Sequence, residues 1–129
     1  MQPKDGQRSA RRYEAREGVM IEFFDSSRNL SGVGNGRDLS STGIRFMTLS
    51  KLSPKKKISL TLYFPSAFPG QKQVNLQAQI IRVYQPRGAQ NYRVGCKFIF
   101  DNEKVKEPIH QYLYWMEASP QVSPGNLKK

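Results

Sequence analysis

Two short clusters in this 129-residue sequence carry side chains suited to gripping an anionic, hydrogen-bonding ligand. The first is RRYEAR, in which Arg12 and Arg16 stand four apart, with Arg11 adjacent and Arg8 upstream. That spacing puts Arg12 and Arg16 on one side of a helix or turn, and also on one side of an extended arm, because four is an even number. A guanidinium donates in bidentate fashion to phosphate oxygens or to the O6/N7 edge of guanine, and its flat face stacks on a base. The second cluster is DLSSTG, residues 38 to 43. Asp38 offers an acceptor-only carboxylate and Ser40 a hydroxyl; two apart in extended backbone, they face the same way. A carboxylate can accept from the N1–H and amino groups of guanine, which arginine cannot do. Gly43 supplies either a positive φ or a close backbone approach before the next strand. Cationic forks and a carboxylate together suit a ligand that carries both phosphates and guanines, with Arg8 and Arg11 as auxiliaries.

The elements that must hold these clusters are strands. Hydrophobic residues alternate with polar ones rather than recurring at helical spacing until residue 103. VMIEFF puts Val19, Ile21 and Phe23 on one face, and IRFMT does the same with Ile44 and Phe46. KKKISLTLYF aligns Ile58, Leu60, Leu62 and Phe64; VNLQAQIIRVYQ aligns Val74, Leu76, Ala78 and Ile80, then changes phase at Ile80-Ile81, which predicts a bulge. NYRVGCKFIF aligns Tyr92, Val94, Cys96, Phe98 and Phe100 across a hairpin turn from it. The glycine- and serine-rich stretch 26–43 reads as a loop. Ile109, Tyr112, Leu113 and Met116 form one stripe of a helix, and because proline suits a first turn, Pro108 sets its start near Glu107, with a separate turn at 103–106 and an end near Glu117. Short antiparallel strands closed by one amphipathic helix make an all-β fold, a small β-barrel with that helix at its mouth or side.

Lys and Arg outnumber Asp and Glu by 21 to 10, a net charge of +11, which favours anionic partners. No apolar run approaches the roughly 18 residues needed to cross a bilayer and no secretory signal is visible, so membrane insertion is not expected and a cytoplasmic location is. The single cysteine, Cys96, fits a reducing compartment and core packing. One His, one Cys and no clustered carboxylates leave no triad, metal set or acid/base pair, so the chain is not read as an enzyme and no cofactor is expected.

Arg-x-x-x-Arg followed, with 21 residues between Arg16 and Asp38, by Asp-x-Ser-x-x-Gly at the start of a strand resembles the signature of the PilZ domain, a bacterial receptor for cyclic di-GMP. AQIIRV, and YRVGCKFIF followed by a short helix, are similar to the family's later strands and end. The resemblance implies a PilZ-like barrel over residues 8–117 with an arginine-bearing arm; outside it, residues 1–7 read as a flexible N-terminus and the proline-bearing stretch 118–129 as a disordered tail. It implies that Arg12 and Arg16 contact phosphates and guanine faces, that Asp38 and Ser40 contact guanine edges and phosphate, and that Gly43 shapes the turn. The ligand would be cyclic di-GMP, often an intercalated dimer, and an unidentified downstream protein would read the ordering of the arm as a signal.

A general RNA- or DNA-binding barrel, using the +11 charge and Tyr63, Tyr84 and Tyr92, is the competing reading. The paired motifs disfavour it. Arg82 stands evenly between ligand and solvent, His110 and SPKKK (53–57) read as surface, and Tyr114 and Trp115 as helix packing.

Overall fold

The computed structural model describes residues 18–118 together with the backbone of Tyr13 and Glu14. Seven strands and one helix follow in order: β1 (Tyr13–Glu14), β2 (Met20–Asp25), β3 (Leu30–Leu39), β4 (Gly43–Thr48), β5 (Lys57–Tyr63), β6 (Gln73–Tyr84), β7 (Tyr92–Ile99) and α1 (Glu103–Ala118). All pairings are antiparallel. β2-β3-β4 and β5-β6-β7 are two meanders, joined along two seams, β2 with β5 and β4 with β7. Six strands thereby close into a barrel, and β1 adds outside it along β3.

The alternation read from the sequence is the inside-outside pattern of this barrel. Val19, Ile21, Phe23, Ile44, Phe46, Ile58, Leu60, Leu62, Val74, Leu76, Ala78, Ile80, Val94, Cys96 and Phe98 are buried. The phase change at Ile80-Ile81 is a bulge: the β6–β7 register shifts between Ile80 and Arg82, which leaves Ile81 exposed.

Two expectations are corrected. The stretch 26–43 is not a loop, because residues 30–39 form the ten-residue β3. Its glycines recur every second residue on the inner side, where a Cβ on Gly32 would lie 2.6 Å from the Phe23 ring, and one on Gly34 would lie 2.8 Å from the Phe46 ring. Their turn-like composition therefore reflects the space that large neighbours take from this strand. The helix is also longer than expected, starting at Glu103 rather than near Glu107, with no separate turn before it. Asn102 caps it, its side-chain oxygen accepting from the Lys104 amide at 2.9 Å. Pro108 sits in the second turn, where its missing N–H forfeits the bond to the carbonyl of exposed Lys104.

The connections sort to opposite ends of the barrel. At one end lie the 40–42 turn, the 64–72 loop and α1. Here Tyr112 stacks on Phe64 at 4.4 Å between centroids and meets Phe68 edge-on at 5.2 Å, while Trp115 packs on Phe68 at 5.4 Å, so helix and loop plug the barrel with aromatic rings. His110 is exposed, as its surface reading expects. At the other end lie the 26–29 and 85–91 turns and the 49–56 connection, which passes from one meander to the other and buries Leu52 in the core.

Candidate functional site

The DLSSTG stretch is where β3 turns into β4, at the end of the barrel that α1 plugs. Register between these strands shifts between Gly36 and Asp38, so that Arg37 is an extra residue and Asp38 comes to face Arg45. A bulge is a common way to aim a side chain. The Arg45 Nε–H donates to both carboxylate oxygens of Asp38 at 3.1 and 3.0 Å, and Nη2 lies 3.0 Å from Oδ2. This side-on fork holds the carboxylate in a fixed plane on the outer surface, its side chain 19% exposed against 41% for Arg45.

Ser40 does not share that surface. It lies one residue past the strand and is fully buried, with its Oγ accepting from the amides of Thr42 and Gly43 at 3.2 Å each. Its own amide donates to the Gly43 carbonyl at 2.9 Å, closing a tight turn. The side chains of Asp38 and Ser40 therefore do different things: one presents an anion outward, the other holds the backbone that ends the strand.

The two alternatives for Gly43 resolve to close approach. Its φ is not positive; among described glycines only Gly18 and Gly88 have that conformation. A Cβ on Gly43 would fall on the carbonyl oxygen of Cys96, and within 3.4 Å of Lys97 Cα across the β4–β7 seam. The Phe98 amide, donating to the Thr42 carbonyl at 2.8 Å, clamps the same turn onto β7. Glycine is what lets the motif lie flat against its neighbour.

Arg8, Arg11, Arg12 and Arg16 lie outside the described residues. Of the backbone between the two motif arginines, Tyr13 and Glu14 are described: Tyr13 pairs with Leu39 and Glu14 with Asp38. Because β4 occupies the other edge of β3, this two-residue strand uses the edge that the shorter β2 leaves open beyond Asn35.

Three residues that motif spacing does not reveal complete this outer surface. Arg45 faces Asp38, Gly95 pairs with Arg45 on the next strand, and Arg82 pairs with Gly95 on the one after. A Cβ on Gly95 would meet Arg45 Cγ at 3.8 Å and Arg82 Cβ at 3.9 Å, so the glycine leaves a low step flanked by two arginines, one of which is already committed to Asp38. The alternation in IRFMT already sends Arg45 outward; what it cannot supply is the cross-strand register. Among the described residues no group of three or more His, Cys, Asp and Glu side chains is arranged to hold a metal ion.

Comparison with solved structures shows the same barrel. The PilZ domain of YcgR from Escherichia coli, solved with c-di-GMP, superposes with a TM-score of 0.69 at 14% identity, covering 95% of this chain and 99% of that one. The K. pneumonia MrkH–c-di-GMP complex gives a TM-score of 0.73 at 16% identity over 94% of this chain, which spans 55% of MrkH. The PilZ domain of CeSA from a cellulose-synthesizing bacterium gives 0.57 at 20% identity, covering 82% and 97%. No curated protein matches. A model of the PilZ domain matches residues 7–115, from before the first arginine of the RSARRYEAR segment almost to the end of α1. With both the sequence match and the barrel spanning most of its length, the chain belongs to the PilZ domain family.

Proposed function

We propose that this protein is a non-catalytic receptor that binds cyclic di-GMP between its N-terminal arm and the outer surface around Asp38. The observation that carries the reading is the pairing of Tyr13–Glu14 with Asp38–Leu39, since the strand that separates Arg12 from Arg16 in sequence runs beside the carboxylate of the second motif. Arg12 and Arg16 supply the forks for phosphates and guanine faces, with Arg8 and Arg11 in support. Asp38 accepts from the guanine amino edge, and Arg45 holds it in plane for that task. Ser40 and Gly43 serve by keeping the turn tight, Ser40 through the two amides it already binds. The Arg45–Gly95–Arg82 step gives a flat base room to lie between guanidinium groups, and a second, intercalated nucleotide would spread its charge over the same arginines. Solved relatives of this fold hold c-di-GMP, which supports the ligand class. Docking of the arm onto the ligand is the signal, read by a partner protein in the cytoplasm.

Isothermal titration with cyclic di-GMP tests the reading. Wild-type protein binds, Arg16→Ala and Asp38→Ala reduce binding to near the detection limit, and ligand protects the arginine-rich arm from trypsin. Absence of heat at ligand concentrations of roughly tens of micromolar would refute it. A steep salt dependence with gradual weakening across many lysine variants would instead indicate general nucleic-acid binding.

A further inference from the structure

We propose that the end of the barrel opposite the Asp38 turn is a docking face for an anionic membrane surface. This goes beyond the ligand reading and does not rest on it. The connection 49–56 runs across this end with Leu52 turned into the core, and presents Lys51, Lys55 and Lys56 to solvent, followed by Lys57 at the start of β5. The 26–29 turn adds Arg28, whose Nη1 donates to the Lys51 carbonyl at 3.0 Å and so ties the two segments together. Lys55 and Lys56 are fixed from below: the Lys55 amide donates to the Ile80 carbonyl at 2.6 Å, and the Ile80 amide donates to the Lys56 carbonyl at 2.8 Å. Arg87 stands on the third turn at the same end.

Among the described residues the one carboxylate at this end is Asp25, and it is wholly buried. Of the others, Glu22 lies on the barrel side bonded to the Tyr63 hydroxyl, while Asp38, Asp101, Glu103, Glu107 and Glu117 belong to the opposite end or to α1. Among the described residues charge is therefore segregated along the barrel axis, leaving a cationic face with no exposed counter-charge from them. What selects a membrane over a nucleic acid is Leu49, which projects from this face 75% exposed beside Lys51. A leucine gives a polynucleotide nothing to bond, whereas a leucine among lysines inserts below the headgroups that the ammonium groups attract. Lysine, a compact point charge, also lacks the planar fork that reads bases.

The test is co-sedimentation of the full chain with vesicles of phosphatidylcholine alone and of equal parts phosphatidylcholine and phosphatidylglycerol. The protein pellets with the mixed vesicles and not with the neutral ones. Each lysine removed weakens binding about fivefold, so Lys51→Gln, Lys55→Gln and Lys57→Gln combined weaken it on the order of 100-fold, and Leu49→Ser alone roughly tenfold. Lys56 is left in place because its charge acts on buried Asp25. These side chains are exposed, so unchanged melting temperatures verify that the variants fold. Equal partition onto both vesicle types, or onto neither, overturns the proposal. So does a loss of short-duplex DNA binding in the lysine variant with vesicle binding unaltered, which would assign the face to nucleic acid.

Discussion

Replacing Gly43 by alanine separates the two ways a glycine can matter here. The added Cβ would land on the Cys96 carbonyl oxygen and press toward Lys97 Cα, both backbone atoms that no rotamer change can move. Restoring an ordinary carbon–oxygen contact of about 3.3 Å requires the 40–43 turn to back away from β7 by roughly 1 Å. The bonds that hold the turn are 2.8 Å (Phe98 amide to Thr42), 2.9 Å (Ser40 amide to Gly43) and 3.2 Å (Gly43 amide to Ser40 Oγ), so such a shift breaks at least the first. One or two lost hydrogen bonds at about 1 kcal/mol each, plus an overpacking cost of about 1–3 kcal/mol, outweigh the ~0.5–1 kcal/mol gained by stiffening the unfolded chain. A net loss of about 1–4.5 kcal/mol lowers the melting temperature by about 4–18 °C at ~4 °C per kcal/mol for a domain of this size. Gly95→Ala is the internal comparison. Its Cβ meets only ordinary contacts, so the substitution leaves stability unchanged or raises it by up to ~1 kcal/mol, while filling the step between Arg45 and Arg82 and weakening cyclic di-GMP binding. Circular-dichroism melting and titration calorimetry on both variants decide the matter. A Gly43→Ala protein melting within about 2 °C of wild type, or a Gly95→Ala protein as unstable as Gly43→Ala, would refute the close-approach argument.

Two further outcomes concern buried groups. The Ser27 hydroxyl and amide, helped by the charges of Lys56 and Arg28, hold the Asp25 carboxyl below its ordinary 3.8 despite burial. A depressed carboxyl contributes stability that is present above the unfolded value and lost as pH falls through the lower folded one. Urea unfolding should therefore show Asp25→Asn less stable than wild type at neutral pH, with the gap closing below about pH 4; a gap that persists undiminished near pH 2 contradicts this. Burial pushes the Cys96 thiol up to about 12, so iodoacetamide at pH 8 should modify it only as fast as the protein unfolds. Rapid alkylation of the native protein would show that β7 opens locally.

Most of the barrel is legible in the sequence because burial on one face of a strand imposes period two, and the bulge at Ile81 is legible as a break in that period. β3 hides because its inner positions are filled by the rings of Phe23 and Phe46 reaching across, leaving glycines that resemble turn chemistry. The helix start hides behind Pro108, since proline marks a first turn more often than a second. Phe68 shows the same limit: it sits in a proline-rich break in the pattern, yet is buried against Tyr112 and Trp115. At the candidate site, Asp38, Ser40 and Gly43 stand out through the order and spacing of the two motifs taken together and their resemblance to a known signature. Arg45, Gly95 and Arg82 do not, because they become neighbours only through register, Arg45 with Gly95 across the β4–β7 seam and Gly95 with Arg82 beside the bulge in the β6–β7 hairpin.

The two-meander construction also sets how the molecule is made. Each meander is a run of hairpins between consecutive strands, contacts that chains form within microseconds. The seams are another matter, since Glu22 and Tyr63 meet across β2–β5 from 41 residues apart, and Gly43 and Lys97 pair across β4–β7 from farther still. Closing those long loops costs entropy before any seam contact repays it, so zipping the halves together is the slow step, on a scale of roughly milliseconds to seconds. Contacts within a meander precede that step, so a defect confined to one meander retards folding, whereas a seam contact such as the one at Gly43 forms after the loop has closed, and a defect in it shows mainly as faster unfolding. The residue that lets the 40–43 turn lie against β7 is, in that sense, a determinant of how long the barrel stays shut.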